Sequence, residues 1–108
     1  MLQIAAQITQ QKERGTMQFM ITWKTRPDTI REAVARFLAT GGGVPKGAKS
    51  VGRWHRADIS GGWHLVEADK VGPILQHCAE WADTLELNVV PVALDAEAGP
   101  LMAKAFKK

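Results

Sequence analysis

The stretch from Val51 to Ala68 constrains the fold of this chain more than any other. Two short runs, Val51-Gly-Arg-Trp-His55 and Trp63-His-Leu-Val-Glu-Ala68, flank Asp58-Ile-Ser-Gly-Gly62, a cluster of turn-forming residues. β-prone runs joined by so short a polar, glycine-containing link predict an antiparallel hairpin, with strands near 49–57 and 62–68. The hairpin sits mid-chain, so the segments before and after it must pack around one antiparallel pair.

Those two segments carry matching patterns. Upstream, Phe19, Ile21 and Trp23 alternate with Gln18, Met20, Thr22 and Lys24, and period two predicts a strand. Pro27-Asp28 breaks it, with Asp28 as an N-cap. Ile30, Ala33, Val34, Phe37 and Leu38 then form one helical stripe opposite Arg31, Glu32 and Arg36. Gly41-Gly42-Gly43 ends that helix. No Gly-Lys-Ser/Thr follows the glycines and no helix starts after them, so helix termination is favoured over a phosphate loop. Downstream, Asp69 reads as the cap of a second helix that becomes regular at Gly72-Pro73, with Ile74, Leu75, Cys78, Trp81 and Ala82 as its stripe. Leu85, Leu87, Val89 and Pro91 alternate with Glu86, Asn88, Val90 and Val92 in a fourth strand. From Asp95, Ala98, Leu101, Met102, Ala105 and Phe106 predict a short amphipathic helix that docks on its own domain or on a partner.

The order is β-α-β-β-α-β plus a terminal helix. This is the ferredoxin-like split βαβ arrangement of the α+β class, an antiparallel four-stranded sheet with two helices on one face. Right-handed crossovers leave essentially this topology alone. The other sheet face holds too many apolar groups to stay in water, which predicts a homodimer of C2 symmetry.

The 108 residues suffice for one domain. Residues 17–108 are read as that domain. The Gln-rich residues 1–16 are read as an N-terminal extension, with a short surface helix as the competing reading. The single cysteine, Cys78, excludes an intrachain disulfide and reads as an inert, buried small hydrophobe. With no signal-peptide pattern at the start, a cytoplasmic location is expected. No apolar run approaches the ~18 residues of a membrane span. The net charge of +3 is spread along the chain among acids, which argues against a nucleic-acid partner.

Several segments together carry a resemblance: Met17-Gln-Phe-Met-Ile-Thr-Trp23, the Arg36-Phe-Leu helix end, the Gly/Pro loop, Gly52-Arg-Trp-His55, His64-Leu-Val-Glu-Ala68 and Val89-Val-Pro-Val92. In this order, over roughly residues 17–92, they resemble a bacterial family of unknown function in the dimeric α/β-barrel superfamily. The resemblance implies a homodimer whose two sheets face each other around a barrel. It implies no single activity, because proteins of that architecture include cofactor-free monooxygenases, isomerases and lyases as well as plain binding domains.

Strand parity selects the candidate site. Arg53 and His55 share one strand face, Trp54 and Arg56 the other; His64 and Val66 share a face, Trp63, Leu65 and Glu67 the other. A four-residue Asp58–Gly61 loop places His55 opposite His64, whereas a five-residue loop places it opposite Trp63. In the first register Arg53, His55 and His64 line one face and suit an anionic or carbonyl ligand. His55 is then the candidate acid/base residue and Arg53 the anion holder, with His64 assisting. The competing reading is that these histidines merely fill the sheet. Trp23, Trp54 and Trp63 are candidate walls of an apolar pocket, against a role in core or dimer interface, and Trp81 is core. His55 and His64 supply only two metal ligands. Glu67 has the wrong parity, and His77 and Cys78, adjacent on a helix, point apart, so no metal is expected.

The resulting expectation is a homodimer that binds a small organic ligand near the 49–68 hairpin without metal or cofactor. The alternative is a cofactor-free enzyme using His55.

Overall fold

Strand alternation and helical stripes resolve, in a computed structural model that describes residues 16–107, into seven elements. They are β1 (Met17–Thr25), α1 (Ile30–Thr40), β2 (Ala48–His55), β3 (Gly61–Ala68), α2 (Gly72–Trp81), β4 (Leu85–Val92) and α3 (Asp95–Ala105). The reading of residues 1–16 as an extension falls, but for Thr16, outside the described residues. The sheet order is β2-β3-β1-β4 with every neighbouring pair antiparallel, the ferredoxin-like α+β topology.

Alternation along the two central strands makes the core. Phe19 and Ile21 of β1 and Val66 and Ala68 of β3 point to one face and are closed by Ile74 of α2. Gln18, Met20 and Thr22 point to the other. The helices use their stripes unevenly. In α2 the buried residues are Ile74, His77 and Trp81, spaced i, i+3 and i+7, while Leu75 of the predicted stripe is exposed. In α1 only Ala33 is buried, and Val34 and Leu38 stay exposed because a cavity separates part of the helix from the sheet.

Neither predicted aspartate caps a helix. α1 begins after Thr29, whose hydroxyl donates instead to the Thr84 carbonyl at 2.8 Å, tying the helix start to the segment before β4. α2 begins after Val71, with Pro73 in its first turn, where a missing N–H costs no helical hydrogen bond. Arg36 completes the tie, pairing with Asp83 at 2.9 Å and reaching the Glu80 carbonyl at 2.8 Å. α1 ends as the sequence predicts. Gly41 (φ 74°) and Gly42 (φ 62°) are left-handed, and the Gly41 N–H donates to Phe37 at 2.7 Å.

The hairpin departs from both anticipated registers. His55 pairs with Gly62, Trp54 with Trp63 and Arg53 with His64. The cause lies in the turn, where the Arg56 N–H donates to Gly61, leaving Ala57–Ser60 as the connection. Within it the Asp58 carboxylate accepts the Ser60 N–H at 3.1 Å and hydroxyl at 2.7 Å and pairs with Arg56, so the loop folds around that side chain. The slip relative to the first anticipated register is two residues, so the face shared by Arg53, His55 and His64 is retained. An irregularity between Ser50 and Gly52 leaves Val51 unpaired and turns Ser50 onto that face as well.

α3 buries no residue, and Leu101, Met102 and Phe106 lie exposed, so its predicted docking on its own domain is not made in the single chain. No helix among the described residues is long and apolar enough to cross a membrane.

Candidate functional site

The gap under α1 is a cavity of about 430 Å3 between the sheet and both helices. Ile21 and Trp23 of β1 and Leu87 of β4 form its floor, and Phe37 of α1 and Trp81 of α2 its walls. The Trp23 indole lies against its cross-strand partner Gly62, where a Cβ would enter the indole and the Trp54 carbonyl. The exposed side chains of Val34, Leu38, His55 and Ile59 rim the opening. Ile59 holds φ 58°, a conformation that costs a β-branched residue on the order of 1–2 kcal/mol, and its carbonyl accepts the Thr25 hydroxyl at 3.2 Å.

Arg53, His55, His64 and His77 bring the polar groups to one side. Arg53 Nη1 donates to the Gly41 carbonyl at 3.0 Å and Nη2 to the Gly42 carbonyl, both in the left-handed turn that ends α1. The guanidinium also stacks over Phe37, 5.3 Å from the ring centre. Helix-end carbonyls carry partial negative charge, so they hold the cation in place without neutralising it. Among the described residues no carboxylate pairs with Arg53, and burial lowers its pKa.

His64 lies beneath it, 2% exposed. Its Nε2 is 2.8 Å from the Ser50 hydroxyl and 3.4 Å from Arg53 Nη2. A guanidinium can only donate, so Nε2 carries the lone pair and the ring proton sits on Nδ1. Burial first, then the charges of Arg53 and His77, pushes the His64 pKa down to about 4. His77 meets it edge-on at 5.6 Å between ring centres and is 6% exposed, with Nδ1 buried and unpartnered. Burial and Arg53 lower its pKa against a smaller opposing effect of Glu80. Near neutral pH the two imidazoles are therefore uncharged beside a cation.

His55 stands at the opening, edge-on to Trp23 at 5.3 Å and tilted against Phe37 at 5.3 Å. Among the described residues no hydrogen bond orients its ring. Of the candidates named from sequence, Arg53, His55, His64 and Trp23 thus line one cavity. Trp54 and Trp63 do not join them: they face each other across β2 and β3 on the opposite sheet face.

His77 escaped the sequence reading, which set it aside with Cys78 as a metal-ligand pair pointing apart. Its signal was the spacing to Ile74 and Trp81, which places His77 rather than Leu75 on the inner stripe. Cys78 is half-buried, and burial raises its thiol pKa, as suits an unreactive group. No three His, Cys, Asp or Glu side chains among the described residues gather as a metal-ligand set.

Among solved structures the chain is similar to Rv0793 from Mycobacterium tuberculosis, at 17% identity and a TM-score of 0.45 over 74% of this chain and 96% of that one. It is also similar to a conserved protein from Methanosarcina mazei Go1, at 13% identity and a TM-score of 0.42 over 69% of this chain and 90% of that one. No curated protein matches it. The family model described as "Domain of unknown function (DUF3303)" matches residues 17–106. That span takes in all four strands, both packed helices and the whole cavity lining, and on it the chain belongs to the DUF3303 family.

Proposed function

We propose that this chain is a small-molecule binding domain that holds an organic ligand in the cavity between its sheet and helices and works as a homodimer. The observation that carries the reading is one cavity with aromatic walls and a single convergent polar corner of Arg53, His64 and His77. Its volume of about 430 Å3 falls within the ~300–1,000 Å3 of small-molecule sites. A cytoplasmic location belongs to the same reading, supported by the lone thiol of Cys78, which has no disulfide partner in the chain.

A thermal-shift screen of small organic compounds tests the cavity. A ligand at a hundredfold its Kd stabilises by about 2.7 kcal/mol, which for a domain of this size raises Tm by roughly 10 °C or more. The shift is expected to shrink in His55→Ala, which removes part of the rim. A ligand that stabilises the native chain and the variant alike lies elsewhere and would count against the cavity.

The homodimer is supported by the uncovered sheet face. Trp54 and Trp63 pair there at 53% and 41% exposure, next to the partly exposed Met20, Leu65 and Val90. Large aromatics in a patch of this kind are typical of interface cores. Trp63→Glu would place a charge at its centre and is expected to yield monomers in sedimentation at concentrations where the native chain is dimeric. A native chain that sediments as a monomer at tens of micromolar removes the dimer from the reading.

The enzymatic alternative rests on His55 as acid/base. His55 reaches the cavity, but no hydrogen bond among the described residues fixes its tautomer, whereas His64 is held on one nitrogen by Ser50 and Arg53. Binding is therefore the reading placed first.

A further inference from the structure

We infer that the ligand is an aromatic monocarboxylate, with its carboxylate paired to Arg53 and its ring between Trp23, Phe37 and Trp81; this rests on the cavity being a binding site. Charge makes the first argument. The cavity lining contains no aspartate, glutamate or lysine, so Arg53 is its one permanently charged group. A cation withdrawn from water is costly unless an anion or a full set of acceptors compensates it. Here the compensation is partial. A guanidinium has five N–H donors, and Arg53 spends three, on the Gly41 and Gly42 carbonyls and His64 Nε2. One N–H on Nε, one on Nη1 and the net charge are left over, and a single carboxylate balances that charge while accepting from one of those donors.

The neighbouring imidazoles narrow the anion. His64 and His77 both lie beside Arg53 and are neutral, so the corner offers one positive charge rather than the two or three that a phosphate dianion calls for. His64 retains its Nδ1–H, and the His77 ring, more than nine-tenths buried on the cavity wall, has no hydrogen-bond partner among the described residues. These rings can hydrogen-bond a polar substituent on the ligand without adding charge.

Shape and surface supply the other half. Trp23, Phe37 and Trp81 bound the space beyond Arg53, and the rim of Val34, Leu38 and Ile59 is aliphatic. A planar ring system fits between such walls, where offset or edge-on aromatic contacts add about 0.5–1.5 kcal/mol to burial. Gly42 keeps the anion anchor in place, because its left-handed backbone carries the carbonyl that Arg53 grips and a Cβ there would lie 2.9 Å from the Phe37 ring and 3.1 Å from Arg53 Nη1.

The test is calorimetric titration of the full chain with 1-naphthoate, cinnamate and indole-3-acetate, each against its primary amide. The amides keep ring and shape but carry no charge. At least one carboxylate is expected to bind tenfold or more tightly than its amide. That preference should vanish in Arg53→Gln and survive in part in Arg53→Lys, which keeps the charge without the fork; circular dichroism checks that both variants fold. If Arg53→Gln does not fold, the carboxylate-to-amide ratio of the native chain and Arg53→Lys decides alone. Amides that bind as tightly as their acids overturn the proposal and leave the cavity as a neutral-ligand site. Failure of both series, with neutral hits in the thermal-shift screen, does the same. Failure of both series and of the screen overturns the binding reading with it.

Discussion

Gly62→Ala is expected to lower the stability of this domain by about 3 kcal/mol, at the upper end of overpacking substitutions. For about 100 residues that is on the order of 15 °C in Tm, measured by thermal unfolding. The single added carbon meets two obstacles at once, the Trp23 indole and the backbone carbonyl of Trp54. A side chain can rotate away, but a carbonyl in the β2–β3 ladder cannot move without loosening the strands. Trp23 also forms the cavity floor, so the variant should lose ligand-induced stabilisation as well as intrinsic stability. Gly43→Ala is the matched control. A Cβ at Gly43 meets nothing within 4 Å beyond its chain neighbours, and the backbone there is not left-handed, so alanine is expected to change stability by less than about 1 kcal/mol. Equal effects at the two positions would show that Trp23 does not lie across Gly62.

Acidification is expected to destabilise the fold well above the range where carboxylates titrate. His64 is pushed down to about 4 in the folded chain, against about 6.5 for an unfolded histidine. Between those values the unfolded chain takes up a proton that the folded chain refuses. The stabilising contribution of neutral His64 is therefore complete above pH 6.5 and lost as the pH falls to about 4, a loss of roughly 2–3 kcal/mol. His77, lowered by the same burial, acts in the same direction. Asp83 and Asp58, held low by Arg36 and Arg56, lose their contributions only below the ordinary carboxylate range, so the two effects separate on the pH axis. Chemical denaturation at half-unit steps from pH 7.5 to 3.5 should show the early loss in the native chain and a shallower one in His64→Gln. Identical slopes would mean that the His64 pKa is the same in the folded and unfolded chains.

The elements were legible because each depends on a local period. Alternation at Phe19, Ile21 and Trp23, the helix that ends at Gly41, and the parity of Arg53, His55 and His64 all survive into the structure. Side-chain direction along a strand or helix is set by backbone geometry alone. Helix starts were less legible. Thr29 and Val71 displaced Asp28 and Asp69, because the choice of N-cap depends on which partners the rest of the fold offers, here the Thr84 carbonyl.

The ferredoxin-like topology and the sheet face on which the hairpin's arginine and histidines stand were legible in the amino-acid pattern, and the family through the resemblance of its motifs. Periodicity and handedness suffice for the topology and the face, since few ways exist to close β-α-β-β-α-β. Tertiary structure alone decided what that face contains. Asp58 folded the turn around its own carboxylate and set the register; α1 stood away from the sheet and opened the cavity; α2 turned His77 inward to meet His64. Each depends on contacts between residues distant in the chain, or on a competition among turn hydrogen bonds that spacing does not rank. Trp54 and Trp63, one residue out of phase with the histidines beside them, went to the opposite face for the same reason that the histidines came together.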